Sequence, residues 1–396
     1  MKRLIPIVLL LLSTASLEAR RLPRYPFIRT EKNSLQYPGG ESADFRLFLR
    51  KLDTLVLTGR GDVRVLHVGG SHVQAGTWTD RLRSNFLAMR YGMDGGRGLV
   101  FPFSAAGTNT PVSYSSSYTG NWENSNCLKP ECVMGLTGMA VTAHDTTATV
   151  AIDLLPREAH MHQPRYTFNR VDVMGYGSME PVLLLQGRDT VRGITGGGYT
   201  HFDLPYYTDW VQLGFTGTPG RYTLKGLYLD KPGYGFTMVE AGVNGAATGS
   251  WLKCDDWEQD LRRVHPDLVL FSIGINDIQG DFDPVRFKAN YRKLIGMVRR
   301  VNPHCAILFT GINDSWRRRS INPYTAEAER AFEDLAKEYK GVFWDLFGIM
   351  GGTGSMSDWQ TAGLAQSDKI HFTTDGYRLL GDLLFEAIME AYHKER

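Results

Sequence analysis

Between residues 233 and 396, short apolar runs alternate with segments of helical period, and one such pair stands alone near residue 60. Alternation of this kind implies parallel pairing, because a strand that crosses over through a helix re-enters the sheet in the same direction. The leading pair is a strand at residues 64–68 and a helix at 77–89. Before it, Phe45, Phe48, Leu49, Leu52 and Leu55 recur at helical spacing over residues 44–57, and Gly59 ends the period. Further strands are expected at residues 236–243, 267–274, 306–312 and 342–346. The matching helices fall at 255–264, 287–301, 326–339 and 375–392, the last with Leu379, Leu380, Leu383, Leu384 and Ile388 on its apolar side. Residues 267–274 are apolar almost throughout, as a strand covered on both faces must be. The class is α/β.

The middle of the chain breaks the pattern. Residues 108–232 show few helical periods and many Gly, Thr, Ser and Tyr residues. Short runs at 139–142, 149–154, 166–173, 181–185, 210–215 and 222–229 are separated by turn signals such as Gly187-Arg188-Asp189 and Thr218-Pro219-Gly220. That is the pattern of a β-sandwich inserted into an α/β domain. Four segments follow: residues 1–19, an export signal; 20–107 and 233–396, two parts of one α/β domain; and 108–232, the insertion.

The signal reading rests on Met1-Lys2-Arg3, the apolar run Leu4 to Leu12, and small residues leading to a cleavage site after Ala19. That run is too short to span a bilayer, and no cysteine follows it to carry a lipid anchor. A secreted chain is expected, periplasmic or extracellular in a bacterium, with no stable membrane insertion once the signal is removed. With 44 basic and 42 acidic residues there is no global field to draw nucleic acid, and no basic stripe with interleaved aromatics is present. Of four cysteines, Cys127 and Cys132 flank a Lys-Pro turn and could close a small disulfide, whereas Cys254 and Cys305 read as buried thiols. None stands at a strand-to-helix turn, as a nucleophile would. No His and Cys spacing suits zinc, His160-Met161-His162 having no partners, so neither metal nor other cofactor is expected.

Chemistry gathers where apolar runs end. Val65-Leu66-His67-Val68 stops at Gly69-Gly70-Ser71-His72, and two glycines allow a sharp turn that exposes the Ser71 hydroxyl. Asp368-Lys369-Ile370-His371 precedes the last helix; Gly242-Val243-Asn244-Gly245 and Gly274-Ile275-Asn276-Asp277 close two further runs. Ester hydrolysis needs a nucleophile, a base, a group that orients the base, and donors for the oxyanion. Ser71 suits the first role, His371 the second and Asp368 the third. The Ser71 and Gly245 N–H groups and the Asn276 carboxamide suit the fourth. All lie at carboxyl ends of strands or in loops, the face on which open α/β sheets build their sites. Taken singly, each motif is an ordinary turn or helix start; their combination in this order is what points to catalysis.

These four blocks resemble the SGNH (GDSL-type) hydrolase family, whose namesake residues fall here on Ser71, Gly245, Asn276 and His371, with Asp368 as triad acid. The resemblance spans residues 60–93 and 236–396, under half the chain, and implies a flavodoxin-like three-layer α/β/α domain and metal-free ester hydrolysis. One departure stands out: the family usually has Asp before the nucleophile, and this chain has Gly70. The Ser71-His72 pair, the β-rich insertion, the signal and Gly98-Leu99-Val100-Phe101-Pro102 are similar to periplasmic peptidoglycan O-acetylesterases, which carry a carbohydrate-binding-like sandwich within the same domain. That similarity implies an acetylated polysaccharide as partner and removal of O-acetyl groups from muramoyl residues. An acetylxylan or other glycan esterase, an O-acetyltransferase and a glycan-binding protein on an inactive scaffold are the alternatives.

Several neighbouring residues are candidates for lining the substrate. His72 adjoins the nucleophile, and Trp251 and Trp78 follow two of the blocks, although core packing is the commoner fate of such tryptophans. Trp316-Arg317-Arg318-Arg319 follows a strand on the Ser71 side and is either a solvated loop or a contact for carboxylates of an acidic glycan. His67, inside a strand, reads as a satisfied core histidine, and Asp277 as the cap of the turn that follows it.

Overall fold

The computed structural model describes residues 25–155, 166–185 and 189–396. The export segment, the His160-Met161-His162 pair and most of the Gly187-Arg188-Asp189 turn lie outside the described residues.

Five parallel strands form the central sheet: β1 (Asp62–Gly69), β2 (Gly235–Gly242), β3 (Leu268–Ser272), β4 (Ala306–Thr310) and β5 (Val342–Trp344). Their order is β2-β1-β3-β4-β5, with Val65 facing Met238 on one side and Leu268 on the other. This is the flavodoxin-like order, and it reverses direction at β1, where the loops beyond the strand ends splay apart and leave a crevice.

The helices are α1 (Ala43–Thr58), α2 (Ser71–Gln74), α3 (Thr77–Leu87), α4 (Thr248–Trp251), α5 (Trp257–Val264), α6 (Ile275–Gln279), α7 (Pro284–Val301), α8 (Thr325–Tyr339), α9 (Leu346–Met350), α10 (Ser355–Thr361) and α11 (Thr374–Glu395). Period-2 alternation along the strands divides the sheet between two apolar layers. Val63, Val65, Leu268, Leu270 and Leu308 pack with α1, α3 and α11; Leu66, Val68, Val269, Phe271 and Phe309 pack with α5, α7 and α8. Each large side chain so buried contributes about 1.5–3 kcal/mol. Helix ends follow local chemistry. Ser42 accepts the Phe45 N–H at 3.3 Å to start α1, and Gly59 ends that helix in the left-handed region. Asp283, followed by Pro284, accepts the Val285 and Arg286 N–H groups to start α7, and Thr373 caps α11.

The described strands between residues 115 and 230 form two antiparallel sheets. In one, Tyr222–Asp230 pairs with both Phe168–Gly177 and Met139–Ala143; in the other, Trp210–Thr216 lies between Thr149–Asp153 and Glu180–Leu184. Five strands of this segment escape the sequence pattern: Ser115–Thr119, Trp122–Asn126, Thr190–Arg192, Ile194–Gly196 and Tyr199–Thr208. The first two are largely polar, so no apolar alternation betrays them. The first sheet also begins earlier than residue 108, because Gly98–Val100 pairs with Tyr222–Asp230. Its core continues into the α/β layer: Val141, Val150, Leu213 and Tyr222 belong to one apolar cluster with Leu66, Val239, Trp251 and Trp257.

All four cysteines are free, so Cys127 and Cys132 are not bridged. The neighbouring Cys127 thiol, together with burial, pushes the Cys254 thiol far above its usual range. No helix among the described residues is long and apolar enough to cross a membrane.

Candidate active site

β1 ends at Gly69, and Ser71 opens α2 immediately after the turn. A Cβ on Gly69 would overlap the Val73 side chain, so glycine alone lets α2 fold back over its strand. Gly70 accepts the Val73 and Gln74 N–H groups at 3.1 and 3.0 Å, and the Cβ it lacks would stand 3.0 Å from Asn276 Nδ2. The departure from Asp therefore leaves room for the Asn276 carboxamide beside the nucleophile. Ser71 is half-buried, its hydroxyl directed at the last loop of the chain.

Across three hundred positions of sequence, Ser71 Oγ meets His371 Nε2 at 2.7 Å. His371 Nδ1 lies 2.7 Å from Asp368 Oδ2, while Asp368 Oδ1 accepts the Ile370 and His371 N–H groups at 2.9 and 3.0 Å. Burial alone would raise the Asp368 carboxyl, but hydrogen bonds from the His371 ring and these two amides outweigh it and hold it below the usual range. An ionised carboxylate only accepts, so Nδ1 carries the imidazole proton and Nε2 is left to accept from the Ser71 hydroxyl. The loop is clamped from outside. Asn313 Nδ2 donates to Ile370 O at 3.0 Å, the Trp316 N–H donates to Lys369 O at 3.0 Å, and the Lys369 ammonium lies 3.6 Å over the Trp316 ring.

Beneath the imidazole lies His72, its ring 5.2 Å from that of His371. His72 Nδ1 bonds Tyr377 Oη at 2.8 Å, and the Tyr377 ring packs on Phe372 at 5.5 Å. One phenol from α11 thus touches the residue after the serine and the residue after the histidine. Burial pushes His72 down to about 3, so it is neutral in the physiological range. The expectation that His72 lines the substrate is corrected: at 5% exposure it is a floor under His371.

The third side of the crevice is the turn after β2. Gly245 takes a φ of +80°, which favours glycine, and its N–H makes no hydrogen bond among the described residues. Ala246 O accepts from Asn276 Nδ2 at 3.0 Å, which fixes the carboxamide and leaves its second hydrogen free. Asp277 does not cap the turn that follows it, as the sequence suggested. It accepts the Thr248 N–H and hydroxyl, at 3.0 and 2.6 Å to its nearer oxygens, and so staples α6 to the start of α4. Asn244 N–H donates to Gln74 Oε1 at 2.6 Å, tying the turn to the nucleophile's helix.

Four other substrate expectations change. Trp251 is 0% exposed and belongs to the core, so no sugar face can reach it. Arg317 is spent within the fold: its guanidinium bonds Gln279 O at 2.9 Å and Asp281 at 3.2 Å and lies over Tyr324. Trp316 stands in the same hairpin beneath Lys369, its ring covered by the ammonium. Only Arg318 and Arg319 project to solvent, at the tip where both take positive φ, 48° and 68°. Trp78 is core, packed edge-on against His67. His67 bonds Thr79 and Ser272, each at 2.8 Å, and burial lowers it to about 3. The sequence reading passed over Tyr377, Asn313 and Gln74, because supports of this kind have no fixed spacing from the groups they hold.

Residues 213–379 match the model of the GDSL-like Lipase/Acylhydrolase family. The chain carries a GDSL-like acylhydrolase domain. The matched stretch contains Gly245, Asn276, Asp368 and His371, while Ser71 precedes it across the β-rich segment. In fold the chain is similar to a solved peptidoglycan O-acetylesterase, at 23% identity and a TM-score of 0.76 over 91% of this chain and 99% of that one. Shorter similarities reach an acetylxylan esterase from Geobacillus stearothermophilus (21% identity, 39% of this chain and 73% of that one, TM-score 0.32). They also reach a psychrotrophic esterase from Pseudoalteromonas sp. (18% identity, 40% and 79%, TM-score 0.32). No curated protein sequence matches the chain significantly. The mixed α/β architecture expected from the sequence is the one observed, and the domain places the chain among carboxylic ester hydrolases.

Proposed function

We propose that this chain is an exported serine esterase that removes O-acetyl groups from a polysaccharide, with peptidoglycan as the substrate. The observation that carries the reading is the 2.7 Å approach of Ser71 Oγ to His371 Nε2, backed by an ionised Asp368 on the far side of the ring. Ser71 attacks the acetyl carbonyl as His371 Nε2 takes its proton. The oxyanion that forms is met by the Ser71 and Gly245 N–H groups and the free hydrogen of Asn276 Nδ2. Collapse of the intermediate expels the sugar oxygen, which takes the proton from His371, and leaves an acetyl ester on Ser71. Water, deprotonated by His371, then releases acetate. Peptidoglycan is favoured over xylan because the likeness that spans nearly the whole chain, β-rich segment included, is to a peptidoglycan O-acetylesterase. That substrate also fits the basic and apolar N-terminus, since peptidoglycan lies outside the cytoplasm.

The test is acetate release from O-acetylated peptidoglycan and from acetylated xylan in parallel. Release from the first, abolished in Ser71→Ala with its unfolding temperature unchanged, is the expected result. Release from xylan alone would overturn the substrate, and full activity of Ser71→Ala would overturn the mechanism.

A further inference from the structure

The β-rich segment reaches the candidate site itself. A Cβ placed on Gly245 would stand 3.4 Å from Leu128, in the turn after strand Trp122–Asn126. Lys253 Nζ holds that turn by donating to Leu128 O at 2.6 Å. Beside it, the α/β part and the β-rich part enclose a pocket of about 70 Å³, to which Gln74 and Asn244 contribute from one side and Asn124 and Asn126 from the other.

The walls of this pocket have a specific chemistry. Its lining holds no charged side chain. Asn124, exposed at the pocket's mouth, makes no side-chain hydrogen bond among the described residues. Asn126 uses Oδ1 on the Leu128 N–H, at 3.0 Å, and keeps Nδ2 free. Asn244 gives Nδ2 to Asn109 Oδ1, at 2.7 Å, and keeps Oδ1 free. Neutral donors and acceptors thus stand together, held on one side by the Gln74 carboxamide, which bonds Thr108, Asn109 and Asn244 at once. Such a set, with the apolar Ala106, Met139 and Val243 beside it, suits a small neutral group that donates, accepts and carries a methyl. The space admits more than one water, and so a small substituent.

We infer that this pocket is a subsite for the acetamido group of an N-acetylated sugar, built jointly by the two parts of the chain. It lies against Asn244, the residue before Gly245, so a substituent seated there holds its ring against the wall of the crevice that contains Ser71. The inference rests on the esterase reading for its purpose, but not for its test.

Calorimetric titration of the full chain with N,N′,N″-triacetylchitotriose, beside cellotriose, reads it directly. Saturable binding of the acetamido sugar and none of its hydroxyl counterpart is expected. An Asn124→Ala/Asn126→Ala double variant should weaken binding about tenfold or more, as the loss of one or two neutral hydrogen bonds implies. Asn124→Ala alone, whose amide supports nothing in the fold, serves if the double variant does not fold. No binding by the wild type, equal binding of the two sugars, or undiminished binding by the variants would each overturn the subsite. Acetate release is scored separately: binding without release overturns the proposed activity and leaves the subsite standing.

Discussion

At the scale of single residues, the arrangement depends on which nitrogen of His371 carries its proton. Asp368 settles this by accepting from Nδ1. In Asp368→Asn the carboxamide can present a donor instead, which moves the ring proton to Nε2 and leaves Ser71 without a base. We expect kcat on an acetyl ester to fall about 10²–10⁴-fold with KM little changed, measured by steady-state kinetics. Tyr377 acts one step further back, as a positioning residue. Tyr377→Phe keeps the packing on Phe372 but strips His72 Nδ1 of its partner in a buried setting, a cost of about 1–3 kcal/mol. Its unfolding temperature should drop. The loss of activity should appear in kcat rather than KM, because the imidazole resting on His72 loses its fixed seat. A variant with unchanged kcat would show that the phenol serves stability alone.

Among the elements, α8 and the segment after β4 carry a cost that sequence could not reveal. Glu329 on α8 is buried, accepting the Ile312 N–H at 2.7 Å through Oε1 while Oε2 has no hydrogen-bond partner among the described residues. Burial pushes its carboxyl well above the usual range, with the Ile312 amide only partly offsetting. The folded state therefore keeps this proton after the unfolded chain has lost it near pH 4.3. The contribution is whole below about pH 4.3 and declines as pH rises, by at most about 1.4 kcal/mol per unit, until the folded carboxyl itself ionises. Glu329→Gln removes the titration and keeps an acceptor for Ile312. Thermal unfolding at pH 5 and pH 8 should show a smaller gap between the two midpoints in the variant than in the wild type. An equal gap would refute the assignment.

Elements differed in how plainly the chain announced them. The α/β strands and helices stand within a few residues of their apolar periods, because a layer buried on both faces requires unbroken hydrophobic runs. Ser115–Thr119 and Trp122–Asn126 were hidden, since these strands expose much of their length and are held by backbone pairing to Thr149–Asp153 and Met139–Ala143.

For the molecule as a whole, the β-rich segment is fused to the α/β part rather than tethered to it. Its apolar cluster runs without a break into that of β1–β4, and Gly98–Val100 enters its sheet from the α/β side. A buried ionic group seals the same junction: Glu240 on β2 binds both Arg83 of α3 and Arg97. Differential scanning calorimetry should therefore give one cooperative unfolding transition, and two resolved transitions would show the parts to be independent.

Local sequence determined what each segment would become. Hydrophobic period fixed the strands and helices of the α/β part, and small residues at strand ends marked the turns that carry Ser71, Gly245 and Asn276. Those signals are local because a period of 2 or 3.6 is set by neighbours in the chain. Only the tertiary structure decided which side chains face substrate and which are spent inside. Trp251 went to the core, Arg317 to the Gln279 loop and His72 to the floor beneath His371, because side-chain fate depends on what long-range packing brings opposite. The 2.7 Å contact between residues 71 and 371 has the same origin: strand order alone placed the two loops on one crevice.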